Sequence, residues 1–135
     1  MSRFIDTNIL AYAYDKGAGE KYTRAVQLVT AMCKGTERPI ISTQVVQELH
    51  LQLLRFGYPT VEAIAISRLF MSWRVLSVTP ELLERSFEVR VRYDLSVWDS
   101  SIVAAAQLAH ASELLSEDLQ AGQRFDDVVV VNPLK

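Results

Sequence analysis

The sequence predicts a layered α/β sandwich built on a mainly parallel sheet. Short, continuous runs of Val, Ile and Leu recur along the chain, as they do in central parallel strands buried on both faces. Longer segments with apolar residues at helical spacing separate them. No repeat, low-complexity tract or linker breaks this alternation, so residues 1–135 read as a single domain.

Each element carries local signals. The first strand is Phe4-Ile5, directly before Asp6. A helix over about 19–34 places Tyr22, Val26 and Val29 on one face. Ile40-Ile41, after Pro39, forms the second strand. The next helix, about 43–57, closes at Gly57, a residue suited to the left-handed position past a helix end. Pro59 precedes a helix over 60–73, in which Ile66, Phe70 and Trp73 are core residues, and Val75 to Val78 follows as the third strand. Thr79 caps a helix that has Pro80 at its first position and runs to about Tyr93. Ser96 opens an Ala-rich helix to about Ala111. Leu114-Leu115 is the fourth strand, and Val128 to Val131, closed by Asn132-Pro133, is the last.

Composition narrows the function classes. Half the chain is hydrophobic and 22% is charged, with five Gly and four Pro, which excludes intrinsic disorder. No apolar run nears the ~18 residues of a membrane span, and the start MSRFIDTNIL lacks a signal-peptide layout, so a cytoplasmic location is expected. The net charge of −2 does not steer the chain onto nucleic acid. Ten of the 14 basic residues are nevertheless Arg. Arg55, Arg68, Arg74, Arg85, Arg90 and Arg92 cluster mid-chain, as solvated helix faces or as a basic rim around an acidic centre. Cys33 stands alone and is expected to be a buried or semi-buried structural thiol.

Four carboxylates stand in unusual places. Parallel α/β sheets bind ligands beyond the carboxyl ends of their strands. Asp6 follows the first strand and Asp118 the fourth. Glu48 lies among Val45, Val46, Leu49 and Leu53, about 60° around the helix from Val45. Asp99 shares a face with Val103, Ala106 and His110. Each acid has a structural explanation of its own. Asp6 would cap a helix starting at Thr7, Asp99 would close a capping box with Ser96, Asp118 would support a helix after Ser116, and Glu48 would reach solvent. Together those explanations require four coincidences. Carboxylates on core-facing positions with few cations nearby in sequence call for a counter-charge, and a hard divalent metal supplies one. His50 and His110 read as structural, and no phosphate-binding glycine loop, nucleophile elbow or zinc spacing is present.

The blocks Phe4 to Leu10 (FIDTNIL), Ser42 to Glu48 (STQVVQE), Leu95 to Ala106 (LSVWDSSIVAAA), Leu114 to Leu119 (LLSEDL), then Gly122, Phe125 and Val128 through Pro133, follow in that order. In this they resemble a PIN-domain ribonuclease, specifically the VapC-type toxin of bacterial and archaeal toxin–antitoxin pairs, over essentially the whole chain. The resemblance implies a PIN-like three-layer sandwich with a central parallel sheet of about five strands flanked by helices. It implies that Asp6, Glu48, Asp99 and Asp118 are catalytic and ligate Mg²⁺ or Mn²⁺, with Thr7, Asn8 and Ser116 as supporting polar residues. Ser116 stands where Thr is frequent and keeps the hydroxyl. Asp127 stands where Gly is frequent, which bears on turn geometry, and Gln47 where many relatives have Asn.

The expected activity is metal-dependent endoribonuclease cleavage of single-stranded or structured RNA. A cation-activated water attacking in line would leave a 5′-phosphate and a 3′-hydroxyl. The alternatives are a housekeeping PIN-type nuclease in RNA processing and a non-catalytic acidic-pocket binding module. A phospho-acceptor receiver domain fits poorly, since only Asp6 follows the first strand and the late lysine is the terminal Lys135. Leu51, Leu54, Phe56, Ile64, Phe70 and Met71 offer more apolar surface than one core face needs. That surface is expected to serve a homodimer, a helix of a cognate antitoxin protein, or both. An Arg or Lys of such an antitoxin would compete with metal for the acidic pocket.

Overall fold

A computed structural model describes residues 2–135. The elements run β1 (Arg3–Ile5), α1 (Thr7–Tyr12), a 3-10 turn (Lys16–Ala18), α2 (Glu20–Lys34), β2 (Ile40–Ser42), α3 (Thr43–Arg55) and α4 (Thr60–Phe70). They continue with β3 (Arg74–Leu76), α5 (Pro80–Tyr93), α6 (Val97–Leu108), β4 (Glu113–Leu115), β5 (Arg124–Phe125) and β6 (Val128–Val131). The six strands lie in the order β3-β2-β1-β4-β6-β5, parallel except for β5 at one edge. Six helices flank the sheet in a three-layer α/β sandwich.

The order reverses at β1, which pairs with β2 on one side and β4 on the other. At such a switch point the connections leave in opposite directions and open a crevice at the strand ends. Asp6 leaves β1 and Ser116 leaves β4 at that crevice, where Asp6 N–H donates to the Leu115 carbonyl at 2.9 Å.

Helix starts follow their caps. Thr79 Oγ1 accepts from Leu82 N–H with Pro80 in the first turn, Ser42 Oγ accepts from Val45 N–H, and Ser96 Oγ from Asp99 N–H. Helix α6 is buried continuously from Ser100 to Ala106, and its small residues suit it to an interior layer. Its three sequential alanines replace bulk that would hold it away from its neighbours.

Several expectations shift. The sheet has six strands rather than about five: β5 is only two residues and pairs antiparallel with β6 across a tight Asp126-Asp127 turn. Asp126 takes the positive φ of 57° there, a conformation aspartate tolerates, so Asp127 does not need to replace a glycine's freedom. Helix α4 stops at Phe70, three residues early, where the chain turns into β3. The third strand covers Arg74–Leu76 rather than Val75 to Val78, because Val78 N–H leaves the ladder to donate to Thr43 Oγ1. Helix α6 ends at Leu108, and His110 lies beyond it, exposed, with φ 56°, so it does not share the inward face of Asp99. Cys33 is exposed rather than buried, on the outer side of α2. Phe70 is fully buried, edge-on to Trp73 at 4.9 Å, so its core reading holds and its place on a docking surface does not.

Candidate metal centre

Beyond the ends of β1 and β4 lies a cavity of about 350 Å³ that brings Asp6, Glu48, Asp99 and Asp118 together. Helix α1 contributes Thr7, Asn8, Ala11 and Tyr12, and Asp15 follows it. Helix α3 contributes Glu48, Gln52 and, past its end, Phe56; helix α6 contributes Trp98, Asp99 and Ile102. Glu48, Gln52 and Phe56 are four residues apart, one helical face, and Gln44 extends the same file.

Asp6 anchors the site. It is 5% exposed, and its Oδ1 accepts from Thr7 N–H at 2.7 Å, so the cap on α1 expected from sequence is real. Its Oδ2 accepts from the Ser116 hydroxyl at 2.8 Å and from Asn8 Nδ2 at 3.4 Å. Burial pushes the Asp6 carboxyl up to about 7; the hydrogen bonds from Ser116 and Thr7 pull the other way, and the charges of Asp118 and Glu48 add to the rise. Asp99, half-buried, is also raised, by burial first and by Asp118 last, with Ser96 opposing.

Short polar residues tie the acids to each other. The Thr7 hydroxyl donates to Glu48 Oε1 at 3.1 Å, linking α1 to α3. Gln44 Nε2 donates to the same Oε1 at 3.2 Å and to the Trp98 carbonyl at 3.3 Å, which holds the start of α6 against α3. Ser116 Oγ accepts from Asp118 N–H at 3.2 Å and Leu119 N–H at 3.4 Å while donating to Asp6. Asn8 Oδ1 accepts from Glu117 N–H at 3.2 Å. No helix follows Ser116, so the idea that Asp118 supports a helix N-terminus is wrong; Asp118 is exposed on a bend. The expected Ser96–Asp99 capping interaction is present in its Ser96 half.

Among the described residues, none of the four carboxylates has a Lys or Arg within ion-pair distance. Lys21, over the ring of the lining residue Tyr12, is held by Glu117 at 3.0 Å. Nor does any group of three or more His, Cys, Asp or Glu among the described residues stand close enough to hold a metal by itself. The carboxylate oxygens of the lining are the donor type a hard divalent ion takes. Like charges without a cation between them stand apart, and Mg²⁺ uses one or two carboxylates while keeping several waters. The donors are all oxygen, one carboxyl is buried with its charge suppressed, and no protein cation neutralises the rest. The residues present fit such an ion.

The mid-chain arginines lie elsewhere: Arg55, Arg68, Arg74, Arg90 and Arg92 are exposed, and none of the six lines the cavity. His50 bonds to Ser67 Oγ at 3.1 Å between α3 and α4, a structural role as expected. Sequence reasoning missed Tyr12, Asp15, Gln52, Phe56 and Trp98. The four-residue file from Gln44 to Phe56 and the adjacency of Trp98 to Asp99 were the available signals.

The PIN domain family matches residues 3–128. Among solved structures, Mycobacterium tuberculosis VapC20, a sarcin-ricin loop cleaving toxin, is 26% identical with a TM-score of 0.67, covering 84% of this chain and 87% of its own. A toxin–antitoxin complex from Klebsiella pneumoniae is 23% identical with a TM-score of 0.72, and 98% of each chain is covered. VapBC2 from Rickettsia felis, bound to a DNA fragment from its promoter, is 18% identical with a TM-score of 0.68, covering 96% of this chain and 97% of its own. The latter two speak to the fold alone. The search of curated proteins found no match.

Proposed function

Because this chain belongs to the PIN domain family, we propose that it is an endoribonuclease dependent on Mg²⁺ or Mn²⁺ and the toxin of a toxin–antitoxin pair. One observation carries the reading: four carboxylates converge on one cavity at the sheet's switch point with no basic partner among the described residues. The likeness to a loop-cleaving toxin supports the substrate class and the role as a toxin. We take residues 1–135 as one PIN domain acting in the cytoplasm; among the described residues no helix is long and apolar enough to cross a membrane.

Asp6, Glu48, Asp99 and Asp118 would hold the cation, and the cation when bound supplies positive charge to the scissile phosphate and lowers the pKa of water. The protein's own residues do the rest. Thr7 and Gln44 fix Glu48 through one oxygen, Oε1. Ser116 and Asn8 hold Asp6 and shape the bend that carries Asp118. Asp118, exposed and lining the cavity, would accept a proton from an attacking water.

Partners follow from surfaces. Leu51, Leu54, Val61, Ile64, Leu69 and Met71 are exposed on α3, α4 and the turn after it, and suit an antitoxin helix. Leu83, Phe87 and Val91 expose a second apolar file on α5, four residues apart, and suit a homodimer. The test is cleavage of a single-stranded RNA by the purified chain. Cleavage with Mg²⁺ or Mn²⁺ that leaves 5′-phosphates and stops in EDTA is expected; undiminished cleavage in EDTA removes the metal mechanism.

A further inference from the structure

Two aromatic walls of the carboxylate cavity have no part in the chemistry proposed above. Trp98 precedes Asp99 at the start of α6 and is 65% exposed; Phe56 ends the file that begins at Gln44 and is 39% exposed. Among the described residues neither ring stacks on another ring or receives a cation. Tyr12, the third ring on the cavity, is different. Its hydroxyl donates to Glu117 at 2.7 Å and Lys21 Nζ lies 5.2 Å over its face, so both its polar tip and its face are already used. An indole left facing solvent in the wall of a polar cavity is a large apolar surface without an intramolecular partner.

Unpaired nucleotides offer the complement. Each base carries a π face that stacks on aromatic side chains regardless of sequence, whereas paired bases in a duplex are already stacked. Placement matters as well. A base on Trp98 belongs to a nucleotide beside the phosphate at Asp99. Phe56 follows Glu48 by eight residues, about 12 Å along α3 at 1.5 Å per residue, and so meets a nucleotide further along the strand. We propose that Trp98 and Phe56 are stacking subsites for unpaired RNA bases flanking the carboxylate centre, and that they bias the site towards single strands. This inference rests on the ribonuclease reading of the same cavity.

The protein reports on its own subsite. Of its two tryptophans, Trp73 is 8% exposed in the core, so a change in the solvent-exposed emission belongs to Trp98. The whole chain is titrated with an eight-nucleotide single-stranded RNA in Ca²⁺ buffer, with the RNA checked for integrity afterwards, and then with the same RNA annealed to its complement. Saturable quenching by the single strand and none by the duplex is expected. Trp98→Ala should bind the single strand about 10-fold more weakly, Trp98→Phe should recover most of that loss, and Phe56→Ala should weaken binding several-fold. Melting temperatures establish that each variant is folded. Equal response to the duplex overturns the proposal, as does an emission change that follows protein dilution instead of RNA, which would place Trp98 in a self-association interface. The two readings fail separately. A chain that cleaves no RNA yet binds single strands through Trp98 loses the nuclease reading and keeps the subsite. A chain that cleaves RNA with kcat/KM unchanged in Trp98→Ala loses the subsite and keeps the nuclease.

Discussion

Two opposing demands meet at Asp6 under the proposed metal-dependent reading. It caps α1 and is buried at the switch point, which favours its neutral form, whereas holding a cation in the cavity would need its charge. Its folded pKa of about 7 lies above the usual 3.8, so between those values the folded protein binds a proton that the unfolded chain has lost. Metal-free stability should therefore fall as pH rises from about 4 to 7, then level off. Asp6→Asn keeps the cap and removes the charge; it should flatten that slope and raise stability at pH 8 by about 1–3 kcal/mol in EDTA. Thermal melts across pH 4 to 8 check this, and an unchanged slope refutes the role assigned to burial. Asp99→Asn addresses ligation instead. Burial raises the Asp99 pKa as well, so neutralising it should leave stability within about 1 kcal/mol or higher, while cleavage falls at least ~100-fold, since even the outer partners of metal ligands are worth ~10–100-fold. Lost stability with surviving activity would make Asp99 a capping residue only.

Elements carry the site through short polar connections rather than through long side chains. Ser116, fully buried after β4, donates to Asp6 and accepts from two backbone N–H groups of the bend that presents Asp118. Ser116→Ala leaves those N–H groups without that partner and should cost about 1–3 kcal/mol. It should also lower cleavage more than Ser116→Thr, which keeps the hydroxyl. Calorimetry together with initial rates on the two variants separates these effects; equal activity in both would remove Ser116 from the site's support. The two-residue strand β5 illustrates the opposite case. Its pairing with β6 depends on a left-handed Asp126, and two residues are too few to show a period in sequence.

At the scale of the molecule, two apolar surfaces lie on different helices, α3–α4 and α5. The chain alone should scatter light as a species of twice 15.2 kDa. Phe87→Ser with Val91→Ser should shift it towards the monomer, whereas Leu51→Ser with Leu54→Ser should leave the dimer and weaken the antitoxin complex. A dimer that survives loss of the α5 file and dissociates on loss of the α3–α4 surface would exchange the two assignments.

What the sequence determined by itself was whatever is written in neighbouring residues. The caps at Thr79 and Ser96, the buried Val and Ile strands, and the acids at strand ends each announce themselves within a few positions. Because parallel sheets place their crevice at strand carboxyl ends, the place of Asp6 and Asp118 at the cavity was legible in the sequence. The exposed Cys33 and the cavity-facing Trp98 and Phe56 were decided only by the tertiary structure. Which side of a helix meets the sheet, a neighbouring helix or solvent depends on how α1, α3 and α6 approach one another, and that approach is set by contacts such as Gln44 to the Trp98 carbonyl, whose partners lie 54 positions apart. Helical periodicity defines a face, but only packing determines what that face meets.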